Sequence, residues 1–166
     1  MYVKRLIEFA EEHPQHFPPL GYALKKIDWI VDIEKSGVTF NDAEKKEMIV
    51  PVVSRSSGVK ATLLVDKPDY VFGWSEKEAE HEKSTERHEA YVALLEQYIE
   101  ATKDEDVRQL LHVLQQPIDY PPSLKASHFI VFRIRDEVFL HEKKEAKTFW
   151  EEYVKPAADE QSDATA

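Results

Sequence analysis

Apolar residues recur along this chain with two different periods, and each period predicts its own secondary structure. Repeats of three and four residues predict helices, whereas alternation with polar residues predicts strands. A long helix is expected from Ser75, a helix-capping residue with Glu78 three positions on, to about Thr102. Further helices are predicted at 2–12, 104–115 and 143–154, and Pro156 is expected to end the last of them. Strands are predicted at 27–33, 38–40, 47–53, 62–65, 70–72, 129–134 and 138–140.

The order of these elements predicts the fold class. Strands and helices are mixed without strict alternation, which favours an α+β domain. We expect a small antiparallel or mixed sheet, a long charged helix, and two to three further helices. Residues 1–155 have a length that suits one core. Residues 156–166 hold three acids and no large apolar side chain, so an acidic disordered tail or linker is expected there.

Charge and cysteine content narrow the function classes. The 166 residues carry a formal net charge of −10, which by itself argues against nucleic-acid binding, because phosphate contacts need Lys and Arg. The acids are segregated in 76–100 and in the tail, so a local basic loop fits the composition. The absence of cysteine excludes disulfides and cysteine-ligated zinc. We expect a cytoplasmic protein with no membrane contact, because no apolar run reaches roughly 20 residues and the start lacks signal-peptide features.

The histidines and carboxylates do not form a recognisable catalytic or metal-binding motif. His81 and His88 are seven positions apart, about 10.5 Å along a helix, which is too far for one ion. There is no glycine-rich phosphate loop and no serine-nucleophile motif. We therefore predict no catalytic residue, no metal and no cofactor, and a chain that is not an enzyme. An acid–base hydrolase is kept as a rival.

The loop from Ser54 to Lys60 has the most binding chemistry. It offers the cations Arg55 and Lys60, hydroxyls at Ser56 and Ser57, and a glycine at Gly58. Arg forks onto phosphate or guanine, and Ser donates to phosphate oxygens. Composition by itself favours an ordinary polar connection between strands. Trp74 and His88 are predicted mainly as core and core-border residues, with a nucleic-acid or partner contact as the alternative.

The order of motifs from this loop onward resembles the start of the large subunit of type I-C CRISPR surveillance complexes (Cascade). The motifs are Arg55–Lys60, Leu63-Leu64, Asp66, Tyr70–Gly73 and Arg87-His88-Glu89. Flanking similarities are Pro18–Tyr22 with Lys25-Lys26-Ile27, Phe132-Arg133-Ile134 with Phe139-Leu140-His141, and 149–153. The resemblance covers about residues 1–155 and implies the N-terminal domain of a longer, non-catalytic subunit.

The resemblance also implies partners and site residues. The expected partners are target double-stranded DNA, the guide-RNA complex with the other Cascade subunits, and a recruited helicase-nuclease. The subunit would recognise the motif beside the target and help open the duplex. Thr62 stands where the family has Asn, and Ser57 where glycine is expected. The implied DNA contacts are Arg55, Ser56, Ser57, Gly58, Lys60 and Thr62, with Lys25, Lys26, Trp74, Arg87 and His88 as further nucleic-acid or partner contacts.

One alternative function is left open by the sequence. The net charge of −10 favours a protein-interaction module that docks other Cascade subunits without touching DNA.

Overall fold

A four-stranded mixed sheet forms the centre of the protein. The computed structural model describes residues 18–55, 58–135 and 137–165, with side chains to residue 155. Strand β1 (Tyr22–Ile33) pairs antiparallel with β2 (Val38–Pro51) and parallel with β3 (Ile130–Ile134). The short strand β4 (Val138–Phe139) pairs antiparallel with β3, so the order of strands in the sheet is β2-β1-β3-β4. Because β2 returns the chain to the end of the sheet where β1 begins, residues 52–129 connect β2 to β3 at that end, and β3 runs parallel to β1. The predicted α+β class is confirmed.

Four α-helices accompany the sheet within the described residues. They are α1 (Pro68–Phe72), α2 (His81–Thr102), α3 (Glu105–Leu114) and α4 (Lys144–Thr165), with short 3-10 turns at Glu78–Glu80 and Leu140–Glu142. The predicted end of α2 at Thr102 is confirmed. Its predicted start is wrong, because the α-helix begins after the 3-10 turn and Ser75 does not cap it. Asp104 caps α3 by accepting hydrogen bonds from the backbone N–H groups of Asp106 and Val107.

The strand prediction fails in two places for different reasons. Residues 38–40 and 47–53 were expected as separate strands, but they belong largely to the single strand β2. Residues 62–65 form no strand, and residues 70–72 lie in α1. A helix tolerates proline in its first turn, because the N–H groups of that turn have no partner within the helix. Pro68 therefore lies at the start of α1 and not in a turn between two strands.

A bulge breaks the alternation of β1 and divides the core. Ile27 pairs with Lys46, but Trp29 already pairs with Asp42, because β2 carries two extra residues here. Glu44 and Lys45 take positive φ angles of 52° and 58° to fit. Ile27 therefore does not share a face with Trp29 as predicted.

The main core lies between one face of the sheet and the helices. The predicted inner stripe of α2 is confirmed as buried, from Tyr91 to Ile99. A smaller cluster, centred on Ile27, Ile30 and Val131, forms separately from the main one. The main cluster includes Trp29, Val31, Tyr91, Leu95, Tyr98, Val107, Leu110, Phe132 and Trp150.

The C-terminal helix is longer than predicted. The backbone of α4 stays helical through Pro156 to Thr165, so the expected stop at Pro156 is wrong. The expected division at residue 156 into a domain and an acidic tail or linker stays a prediction. Proline removes one intrahelical hydrogen bond but the flanking Ala157 and Ala158 favour helix. The predicted helix at 2–12 lies outside the described residues. No helix of the described part is long and apolar enough to cross a membrane.

Candidate nucleic-acid interface

The buried carboxylate of Asp66 connects several residues of the segment that follows β2, which we define as residues 52–67. Its Oδ2 accepts hydrogen bonds from the N–H of Thr62 at 3.2 Å and from the Thr62 hydroxyl at 3.0 Å, and it forms an ion pair with Arg55. Its Oδ1 accepts from the N–H of Lys67 at 2.9 Å, and its backbone carbonyl accepts from the N–H of Ile130 at 3.0 Å. Asp66 thereby ties the start of the segment, its end and the sheet to one another.

Burial raises the pKa of the Asp66 carboxyl, and the positive charge of Arg55 acts in the opposite direction. The carboxyl is almost inaccessible to solvent, so its charge requires the Arg55 partner. The Arg55–Asp66 pair is therefore a structural element of the segment.

Arg55 itself is largely occupied by contacts within the protein. Besides the ion pair, its Nε donates to the backbone carbonyl of Lys60 at 2.7 Å, and its guanidinium lies 4.0 Å from the centre of the Tyr70 ring. About a quarter of the side chain, 27%, remains exposed. Arg55 therefore shapes the segment and presents a limited exposed edge, and its expected contact with DNA stays a prediction.

Thr62 lies inside the protein. Only 4% of it is exposed, and its hydroxyl contacts the Val65 carbonyl and the Asp66 carboxylate. A buried and internally bonded hydroxyl does not reach a base edge. Thr62 supports the position of Asp66 in this structure, and its expected place near a base edge stays a prediction.

The remaining loop residues are partly described. Gly58 is exposed and has a φ angle of +111°, which residues with a side chain rarely adopt. A Cβ added at Gly58 would have no atom of the described residues within 4 Å. Lys60 is exposed, and its backbone N–H lies 3.4 Å from the Tyr70 hydroxyl. Ser56 and Ser57 lie outside the described residues, so their expected phosphate contacts stay predictions.

Helix α2 brings Arg87 and His88 to the same region. Arg87 donates to the Asp69 carboxylate at 2.7 Å, which raises the pKa of Arg87, and its guanidinium lies 5.9 Å from the Tyr70 ring. His88 Nδ1 lies 2.9 Å from the backbone carbonyl of Tyr70. At the end of α1, a Cβ on Gly73 would come within 3.2 Å of the His88 Cβ. His88 therefore joins α1 to α2, and its expected contact with a partner or nucleic acid stays a prediction.

These elements enclose a groove of about 460 Å³ between the loop, α1 and α2. Four cationic and two acidic side chains line it, so the groove is locally positive although the chain as a whole is strongly negative. We call this site the basic groove. It is lined by Arg55, Gly58, Val59, Lys67, Asp69, Tyr70, Lys83, Glu86 and Arg87.

The basic groove includes cations that the sequence did not single out. Lys83 lies four residues before Arg87, so both side chains fall on one face of α2. Lys67 directly precedes α1 and is oriented by the bond from its N–H to Asp66. The spacing of Lys83 and Arg87 was a usable sequence signal, but Lys67 becomes a site residue only through the turn at Pro68.

The other predicted contacts lie elsewhere. Trp74 is half-buried with its ring 6.2 Å from that of Tyr120, so it packs instead of presenting a stacking surface. Lys25 lies 5.8 Å from the Phe129 ring, and Lys26 is exposed on β1 opposite Glu47.

The described residues contain no group of three or more His, Asp or Glu side chains placed to hold a metal ion. Nor do the nine residues of the basic groove include a His, Ser or Thr side chain beside a carboxylate. What the basic groove offers is fixed positive charge, which suits phosphate recognition.

Comparison with known proteins now identifies the family. The family model described as CRISPR-associated protein (Cas_Csd1) matches residues 2–166, nearly the whole chain. A search of curated proteins finds no match. The predicted link to CRISPR systems is thereby confirmed at the level of the family. This chain belongs to the Cas_Csd1 family of CRISPR-associated proteins.

Proposed function

We propose that the domain binds target DNA beside the stretch that a guide RNA pairs with, and that the basic groove holds the phosphate backbone. The observation that carries this proposal is the concentration of four cations around one groove of a chain whose net charge is −10. The groove adjoins the loop that resembles the DNA-facing segment of the type I-C large subunit. A role in a CRISPR system follows from the family.

Arg87 is the side chain best prepared to bind phosphate. A guanidinium has five N–H donors, and within the described residues Arg87 uses one of them on Asp69. That bond fixes the plane of the guanidinium, while the other donors remain for a ligand in the groove. Lys83 adds a second cation one helical turn away, and no ion pair within the described residues occupies it.

The loop from Ser54 to Lys60 contributes to the groove mainly by leaving its backbone accessible to a nucleic-acid strand, and less by its charge. Gly58 and Val59 are exposed, and no atom of the described residues lies within 4 Å of a Cβ added at Gly58, so a sugar-phosphate strand meets open backbone there. Arg55 holds the loop against Tyr70 and Asp66, so it acts as a positioning residue with one exposed edge. Thr62 takes no part in reading bases in this proposal.

The wider assembly follows the same proposal. In a guided complex, base pairing reads the target sequence, and protein reads the short adjacent motif and the duplex shape. The domain performs no catalysis of its own, needs no cofactor, and works with the guide RNA, the other Cascade subunits and a recruited helicase-nuclease. A cytoplasmic location fits these partners.

Salt-dependent binding tests this proposal. Duplex DNA is titrated against the chain, and against the complex assembled with guide RNA, between about 50 and 200 mM salt. Replacing Arg87 or Lys83 by Gln should weaken binding and reduce the salt slope by about 0.9 for each phosphate that the variant no longer neutralises. Lys35→Gln, in the exposed turn between β1 and β2, is the control. An unchanged slope in both groove variants would remove the groove from the DNA site.

A second candidate function rests on a different surface. The first turns of α2 border a depression of about 660 Å³ lined by Glu78, Glu82, Glu86 and Glu89. This surface favours a module that docks a basic subunit without direct DNA contact. Absence of duplex binding at about 50 mM salt, where electrostatic attraction is strongest, would support that function over DNA binding.

A further inference from the structure

Two lysines from distant parts of the chain converge on one aromatic ring beside the basic groove. The amine of Lys25, on β1, lies 5.8 Å from the centre of the Phe129 ring, and that of Lys67 lies 5.7 Å from the same centre. Both distances fall within the range of cation–π attraction. We call Lys25, Lys67 and Phe129 the lysine clamp.

The ring at the centre of the lysine clamp is held firmly. The backbone N–H of Phe129 donates to the Asp28 carboxylate at 2.8 Å, and its carbonyl accepts from the N–H groups of Asp28 and Trp29 at 3.1 and 3.2 Å. Phe129 directly precedes β3, and the Asp66 carbonyl binds the next N–H, that of Ile130. The half-buried ring is therefore a fixed support for the two flexible amines.

The way these lysines are held leaves their charge available. Arg55 and Arg87 are each positioned by a carboxylate, which cancels much of their charge. An aromatic face attracts a cation without carrying a net charge of its own. Within the described residues, Lys25 and Lys67 form no ion pair with an acid. The nearby Asp28 and Asp66 are already bound, by Lys45 and Arg55 respectively.

Lys67 joins the lysine clamp to the basic groove, because its side chain lines the groove and also lies over Phe129. We propose that the lysine clamp is a second nucleic-acid contact, which binds the phosphates of the strand where it leaves the basic groove. This inference rests on the proposed DNA-binding function and extends its path to β1. Phe129 is a positioning residue that preorganises two phosphate-binding cations.

The proposal makes different predictions for the ring and for the amines. Lys25→Gln removes a cation, so the salt slope should fall by about 0.9 and binding should weaken. Phe129→Leu keeps apolar bulk and both cations but loses the aromatic face. It should weaken binding about two- to fivefold while leaving the salt slope unchanged. Lys35→Gln is again the control, because Lys35 lies in the exposed turn between β1 and β2 and has no aromatic contact among the described residues.

The experiment is a duplex titration of the full chain over the same salt range, with poly-glutamate as a competitor and circular dichroism to verify folding. A reduced slope for Lys25→Gln, with Lys35→Gln unchanged, supports the lysine clamp. If Arg87→Gln weakens binding but Lys25→Gln and Phe129→Leu do not, the lysine clamp is overturned and the basic groove stands. If none of these variants changes binding, both fail. Equal competition by poly-glutamate and DNA would overturn nucleic acid as the ligand.

Discussion

The first turns of α2 carry two adjacent faces of opposite charge. Lys83 and Arg87 line the basic groove, whereas Glu82 and Glu89 line the acidic depression, and Glu86 borders both. Helical geometry produces this separation, because residues four apart share a face and residues one apart do not. The net charge of the whole chain therefore does not describe the local charge of either face.

The two faces also differ in their support. Beneath the basic groove lie the buried Asp66, the short helix α1 and the contact of Gly73 with His88. Along the acidic depression, Glu82, Glu86 and Glu89 are exposed and form no ion pair within the described residues. A fixed set of cations suits a defined ligand, whereas free carboxylates suit solubility or a loosely docked partner. The two faces therefore differ in how firmly their charged side chains are held.

The largest expected effect comes from removing the carboxylate under the basic groove. Asp66→Asn leaves the Arg55 guanidinium without its ionic partner and should cost about 3 kcal/mol of unfolding free energy. Urea denaturation measures this loss. Glu82→Gln, on the acidic face, should change stability by less than about 0.5 kcal/mol. Adding Arg55→Leu to Asp66→Asn should recover part of the loss, and no recovery would show that the ion pair is not its source.

The free energy of unfolding should change with pH by about 2 kcal/mol because of His141, which lines neither the basic groove nor the acidic depression. Burial lowers the pKa of His141 to about 3, and its ring nitrogens have no partner among the described residues. The unfolded chain therefore binds a proton below about pH 6.5 that the folded protein does not, so this group reduces stability as the pH falls from about 7 to 5. His141→Phe should remove that share of the pH dependence, as measured by urea denaturation at each pH. Parallel pH profiles for the two proteins would contradict this account.

A smaller loss of stability is expected at the junction of α1 and α2. Gly73→Ala places a Cβ at φ +70° and 3.2 Å from the His88 Cβ, which should cost about 1–2 kcal/mol. Thermal unfolding checks this value. Gly37→Ala is the control, since its φ is not in the left-handed region and nothing lies within 4 Å of an added Cβ. If the two substitutions cost the same, the contact between α1 and α2 does not support the groove.

The sequence predicted the scaffold better than the site. The inner stripe of α2 and the hairpin of β3 and β4 follow from periodicity, because side chains within one element share its geometry. The bulge at Ile27 depends on pairing between two strands, so the local pattern did not show it. Pro68 fits both a turn and the first turn of a helix, so the local pattern did not decide between them.

The sequence singled out Arg55, Gly58 and Arg87 of the basic groove but not Lys67 or Lys83. The resemblance pointed to the Arg55 loop, which does border the groove. The sequence did not reveal that Arg55 and Thr62 are both bound to the buried Asp66, because a buried acid is not distinguishable from a surface acid by composition. Phe129 and Lys25 are far apart in sequence, so only the pairing of β1 with β3 brings them together.

The most direct test of the central claim reverses one charge in the basic groove and one outside it. Lys83→Glu and Lys35→Glu change the total charge equally, but only Lys83 lines the groove. Duplex DNA affinity of the full chain is measured for both at about 50 mM salt. We predict a loss of about tenfold or more, about 1.4 kcal/mol, for Lys83→Glu and little change for Lys35→Glu. Equal losses would contradict the account, because binding would then follow the total charge and not the groove.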